Sequence, residues 1–209
     1  MPQTCLTWLM EAAAPPPEEP ELFAAKSILL TGGCGFIGAW TAHALRRAYP
    51  DAPILVLDKL EYCSSSVNLQ GVDRLEIVEG CVTDLPLVLR LLRERDIDTV
   101  VHMAAQSHVD RSFTPKSPRC EAGALSFANT NVLGTQVILE AVRQHWGAEP
   151  RAPSPLPADG PAASPAPFSK NRLVLVSTDE VYGETGVSDG VGVDESAKLS
   201  VPQAICQLK

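Results

Sequence analysis

The sequence contains no apolar run of the roughly 20 residues needed to span a bilayer. It has no Cys-x-x-Cys pair, and none of its 6 cysteines, at positions 5, 34, 63, 81, 120 and 206, stands at zinc-site spacing from a histidine. Free thiols in a reducing compartment are the reading this leaves, with no metal expected. No Lys or Arg occurs between Met1 and Leu22, where Glu11, Glu18, Glu19 and Glu21 stand instead. Secretory and mitochondrial leaders both need positive charge in that place, so a cytoplasmic protein without a membrane anchor is expected. Positive charge is scarce throughout: 17 Lys and Arg face 25 Asp and Glu, for a net charge of -8. Such a chain repels a nucleic-acid backbone, although a few backbone N–H groups at a helix start can still hold one phosphate. There is no internal repeat.

What is present is the composition of a globular protein, 45% hydrophobic and 20% charged over 209 residues, enough for one large domain. Residues 1–24 read as a tail, because the Ala-, Pro- and Glu-rich stretch from Ala12 to Pro20 cannot build a core. Short apolar runs then alternate with helical patterns. Strands are expected at Ser27–Thr31, Ile54–Leu57, Leu75–Val78, Thr99–Met103 and Leu173–Ser177. Helices are expected at Phe36–Tyr49, Leu85–Arg95 and Asn131–Trp146, with Ile37 on the apolar side of the first and Val132, Val137, Leu139 and Val142 mostly inward on the third. Alternation of this kind predicts an α/β protein with a Rossmann-like, doubly wound parallel sheet. Two Pro-bearing stretches, near 114–125 and 147–168, interrupt the rhythm as insertions in a domain spanning 25–202.

The first strand turns into the first helix through Thr31-Gly32-Gly33-Cys34-Gly35-Phe36-Ile37-Gly38. Gly32, Gly35 and Gly38 have the spacing G-x-x-G-x-x-G: the first for a tight turn, the second for close approach of a pyrophosphate, the third for helix–strand packing. Glycines alone mark turns of any kind. Here the strand–loop–helix setting adds weight, and so does Asp58, which falls 20 residues after Gly38 at the end of the second strand. A carboxylate there accepts from ribose hydroxyls and repels a 2'-phosphate, so NAD is favoured over NADP.

These residues resemble the fingerprint of the extended short-chain dehydrogenase/reductase family. Four further stretches narrow the likeness: Leu57-Asp58-Lys59-Leu60-Glu61-Tyr62-Cys63, the run from His102 to Ser112, Asn131-Val132-Leu133-Gly134-Thr135, and Ser177-Thr178-Asp179-Glu180-Val181-Tyr182-Gly183. Together they are similar to the nucleotide-sugar 4,6-dehydratases acting on dTDP-glucose or UDP-glucose. The resemblance implies NAD as cofactor, a nucleotide-sugar substrate and a homodimer. It implies Glu180 as the base at the sugar C5, Asp179 as the acid at C6, and Thr178 near C4. It further implies that Phe36 and Ile37 contact the pyrophosphate and Lys59 the adenosine side. Ala104, Ala105, Gln106 and Thr130 would border the cofactor, and Ser107 the substrate. Two adjacent carboxylates suit an acid–base pair, since like charges push their pKa values apart. No catalytic part is assigned to His102 or His108.

The sequence also departs from that family. The Tyr-x-x-x-Lys motif expected after Pro202 is missing, and Cys206 falls where the tyrosine belongs. Residues 203–209 do not follow the family pattern, and Cys81 stands where relatives carry an aspartate near the adenine. The expectation is a chain truncated at its C-terminus and impaired in dehydration, lacking the substrate-binding part. Two other readings stay open: a 4-epimerase or decarboxylase of the same family, and a noncatalytic NAD-binding protein. Asp179 speaks against the first, because epimerases lack the Asp–Glu pair and the decarboxylases keep only the glutamate.

Overall fold

The computed structural model describes residues 24–113, 123–147 and 170–182. Five strands form one sheet: β1 (Ile28–Thr31), β2 (Ile54–Asp58), β3 (Leu75–Glu79), β4 (Thr99–His102) and β5 (Arg172–Leu175). Their order is β3-β2-β1-β4-β5 and every pairing is parallel. The chain runs outward from β1 to β3 on one side and from β4 to β5 on the other. The winding direction therefore reverses between β1 and β4, which leaves a crevice beyond their carboxyl ends.

The strand composition explains the layering. Every residue of β1, β2 and β4 is buried, as expected of a strand covered on both faces. Alternate residues point to opposite sides. Ile28, Leu30, Ile54, Val56 and Val101 join Ala39 and Ala42 of α1 (Phe36–Ala48) in one core layer. Leu29, Leu55, Leu57 and Val100 join Val88, Leu91 and Leu92 of α2 (Leu85–Glu94) in the other, with Val137, Ile138, Ala141 and Val142 of α4 (Thr135–Trp146). A side chain fully buried in this way contributes roughly 2 kcal/mol. The Asp84 carboxylate starts α2 by accepting from the Leu87 N–H at 3.0 Å, a cap worth about 1 kcal/mol.

The strands and first two helices lie within two residues of their expected bounds. The third helix does not. It begins at Ala124 rather than Asn131, with α3 (Ala124–Phe127) continuing through a π-helical segment, Ala128–Gly134, into α4. Residues 124 and 125 are therefore helical and not part of an irregular insertion. The wider π turn also changes the phase of the apolar stripe. Val132 is half exposed, and Leu139 lies about 60° outside the arc holding Val137, Ile138, Ala141 and Val142. Neither points inward as expected, and Ile37 is exposed on the first turn of α1. Residues 1–23 of the expected tail, 114–122 and 148–168 of the expected insertions, and the last residues, 203–209, lie outside the described residues. Among the described residues no helix is long and apolar enough to cross a membrane.

Candidate cofactor and active site

The glycine loop crosses the carboxyl end of β1. Gly32 has φ +72°, and a Cβ there would lie 2.8 Å from the Ala104 Cα. A Cβ on Gly38 would lie 2.1 Å from the Gly32 carbonyl oxygen and 2.9 Å from the Gly33 Cα. Backbone occupies both places, so neither site accepts a side chain without moving the chain. A Cβ on Gly35 would meet nothing nearer than 3.4 Å. That glycine leaves room in front of the loop, where the first turn of α1 has no side-chain cap. Exposed Phe36 and Ile37 lie on that turn. An uncapped helix start above a glycine cradle is a physical fit for a pyrophosphate.

Asp58 closes β2 and is buried. Its carboxylate accepts from the Cys34 N–H and from the Leu60 N–H, both at 2.9 Å. The strand-end acid thus fixes the glycine loop as well as facing the crevice. Burial, with the Asp58 charge second, pushes the Cys34 thiol up to about 11, so it stays protonated and unreactive. Lys59 donates to Glu61 Oε1 at 2.7 Å, and Gln106 Nε2 donates to Glu61 Oε2 at 2.7 Å. The Arg111 guanidinium sits 3.7 Å over the Tyr62 ring. The loop after β2 is therefore joined to the loop after β4, across the end of β1.

The loop after β4 is fixed from below and behind. The Thr31 hydroxyl accepts from the Met103 and Ala104 N–H groups, both at 3.2 Å. Its one proton then goes to His102 Nδ1 at 2.7 Å, so the imidazole carries its proton on Nε2 and donates to Thr135 Oγ1 at 3.2 Å. The Thr135 hydroxyl donates in turn to the Asn131 carbonyl at 2.7 Å. Burial lowers the His102 pKa to about 4, which keeps the ring neutral. Asn131, buried in the π segment, accepts from the Gln106 N–H at 2.7 Å and donates to the Gln106 carbonyl at 3.0 Å.

Of the expected site residues, Ala104, Ala105, Gln106 and Ser107 follow β4, and Thr130 lies one residue before Asn131 in the π segment. Thr178 follows β5, and Asp179 and Glu180 open a short 3-10 turn, Asp179–Tyr182, at the carboxyl edge of the same sheet. The topology thus collects the glycine loop, Asp58, the 104–107 loop and the Thr178–Glu180 turn at one end of the strands. Sequence reasoning passed over three residues of this network: Glu61, His102 and Asn131. The exchange of both backbone bonds of Gln106 with one side chain, Asn131, carries no signal in spacing or composition.

A sequence model of the family described as GDP-mannose 4,6 dehydratase matches residues 29–201. The chain belongs to that family. This dehydratase-family chain is similar over 170 residues to a dTDP-glucose 4,6-dehydratase of Mycobacterium tuberculosis, at 38% identity, covering 81% of the chain and 41% of that protein. It is 37% identical over 177 residues to a trifunctional UDP-glucose 4,6-dehydratase/3,5-epimerase/reductase of Arabidopsis thaliana, covering 83% of the chain and 22% of that protein. Among solved structures it resembles a dTDP-glucose 4,6-dehydratase of Bacillus anthracis in complex with NAD. That match has TM-score 0.63 and 27% identity, covering 88% of the chain and 47% of its counterpart. A UDP-Glc/GlcNAc 4-epimerase of Campylobacter jejuni, 22% identical at TM-score 0.64, shares the fold. The chain spans less than half the length of each of these relatives.

Proposed function

We propose that this chain binds NAD in the crevice between β1 and β4 and serves nucleotide-sugar 4,6-dehydration, on dTDP-glucose or UDP-glucose. The observation that carries the reading is the cradle itself. Gly32 and Gly38 are packed against backbone, Gly35 is open in front, and the start of α1 is uncapped beside the buried Asp58. NAD, when bound, would accept the hydride from the sugar C4 and return it to C6. Phe36, Ile37 and Gly38 would offer N–H groups to its pyrophosphate, Asp58 would accept from its adenosine ribose, and Lys59 would flank that end. Ala104, Ala105, Gln106 and Thr130 would border the nicotinamide side, with Ser107 and Thr178 toward the sugar. Glu180 would take the C5 proton and Asp179 would give a proton to the departing C6 hydroxyl. The family membership and the 4,6-dehydratase relatives support this assignment over a 4-epimerase.

The 209 residues contain no Tyr-x-x-x-Lys, the pair expected to deprotonate the C4 hydroxyl. We therefore propose that this chain alone holds cofactor but dehydrates poorly. A cytoplasmic homodimer completes the reading.

Calorimetric titration of the purified chain with NAD tests the cofactor, and assay of 4-keto-6-deoxy sugar from dTDP-glucose and UDP-glucose tests the chemistry. The expected outcome is saturable NAD binding with little product. Gly35→Ala should weaken that binding at least tenfold and leave the melting temperature nearly unchanged, since its Cβ meets nothing nearer than 3.4 Å. Absence of NAD binding overturns the reading, and rapid product formation overturns the impairment.

A further inference from the structure

Three ties join the loops around the crevice into a closed circuit. The Asp58 carboxylate holds the end of β2 to the glycine loop through the Cys34 N–H at 2.9 Å. The Thr31 hydroxyl holds the end of β1 to the loop after β4 through the Met103 and Ala104 N–H groups, both at 3.2 Å. The circuit closes where Gln106 Nε2 donates to Glu61 Oε2 at 2.7 Å, joining the loops after β2 and β4 to each other. These ties are unequal. Asp58 and Thr31 are buried and bond to backbone, so breaking either strands polar groups away from water. Glu61 and Gln106 meet side chain to side chain, and the Glu61 side chain is 23% exposed. Water can replace both partners there, which makes this the tie that opens at least cost.

Both ends of that bond are nonetheless held in place. The Glu61 carbonyl accepts from the Ser64 N–H at 3.0 Å and from the Ser64 hydroxyl at 3.1 Å, which fixes the turn that carries it. The Gln106 backbone exchanges two bonds with the Asn131 side chain. The bond therefore reforms in the same place after it parts. A dinucleotide reaching from Asp58 past the glycine loop to residues 104–106 lies inside the circuit. We propose that Glu61 is a positioning residue that closes the cofactor crevice. Its bond to Gln106 acts as a clasp, parting for the dinucleotide to enter and again for it to leave. This rests on the reading of the crevice as a dinucleotide site, and it adds a control over exchange that neither the glycine cradle nor Asp58 supplies. A bond that parts in both directions enters both rates and cancels from the affinity.

Substitution Glu61→Ala removes the acceptor. Stopped-flow fluorescence of NADH, with excess NAD to drive its release, reads both rates on the purified chain without any need for turnover. In Glu61→Ala, association and dissociation should both rise on the order of tenfold, as expected for losing one hydrogen bond to a charged acceptor. Their ratio should stay within about twofold of wild type. Glu61→Gln should keep rates close to wild type, because two side-chain amides can pair in either orientation while the charge is gone. Gln106→Ala leaves the backbone bonds to Asn131 in place and should speed association as much as Glu61→Ala does. The double variant should add nothing further, since one bond cannot be lost twice. Gln106→Ala also carries the test if Glu61→Ala does not fold. Unchanged rates in Glu61→Ala overturn the inference while leaving NAD binding intact. So does an affinity weakened through dissociation alone, which would make Glu61 a ligand contact. Equal shifts in Glu61→Gln and Glu61→Ala would assign the effect to charge and overturn it too. Wild type that binds no NADH overturns the underlying reading of the crevice, and the inference with it.

Discussion

His102 shows how one buried side chain can tie the stability of the sheet to pH. It lies on β4, takes a proton bond from Thr31 and gives one to Thr135, and has no room to be charged. Its folded pKa, about 4, lies below the ordinary 6.5 because burial penalises the imidazolium. Between those two values the unfolded chain holds a proton that the folded chain does not. The contribution is therefore whole above pH 6.5, shrinks as pH falls, and levels off below about 4. Its full size is of order 3 kcal/mol. Urea titrations at pH 7.0, 5.5 and 4.5 should show this loss, and His102→Gln should flatten it; an equally steep fall in the variant would assign the acid sensitivity to other groups. In the sequence the residue was a histidine to which no catalytic part was assigned. Its threonine neighbours come from 71 residues before and 33 residues after it, and no local pattern reports them.

At the scale of elements, strand and helix identity was legible because each rests on local chemistry. β1 and β2 are built on the apolar runs Ile28–Leu30 and Ile54–Leu57, β4 on Val100 and Val101, and α1 follows the glycines directly. The helix containing Asn131 was legible only in its second half. Pro115 and Pro118 suggested an irregular stretch reaching Leu125, while the helix resumes at Ala124 after Gly123, whose φ is +106°. The π segment was invisible, because it follows from a tertiary demand: Asn131 reaches the Gln106 backbone, and Gly134 lies where a Cβ would meet Val82 at 2.6 Å. Asn131→Ala should remove both bonds and cost about 2 kcal/mol, the usual penalty for stranding a backbone donor and acceptor. Denaturant unfolding measures the cost, and hydrogen exchange at the Gln106 amide should accelerate in step. An unaltered exchange rate would mean that the loop after β4 is held by something other than the π segment.

For the molecule as a whole, the described sheet has one uncovered rim. Val174, Leu175 and Val176, on and just beyond β5, are 42%, 47% and 49% exposed, a cluster of apolar surface that soluble chains ordinarily cover. The purified 209-residue chain should bind the dye ANS in its native state and associate as its concentration rises, whereas a monomer that binds no dye would show the rim to be covered. The doubly wound architecture was legible from the alternation of elements, but this rim was not, since exposure belongs to the assembled sheet. The strand order also sets a timetable. β1 is made first and lies centrally, with Ile28 registered on Ile54 of β2 and on Thr99 of β4. The second of those partners is synthesised 71 residues later, roughly 4–14 s at cellular elongation speeds. Throughout that interval the strand that will carry the glycine loop has one flank unmet, and the crevice cannot exist until β4 has left the ribosome.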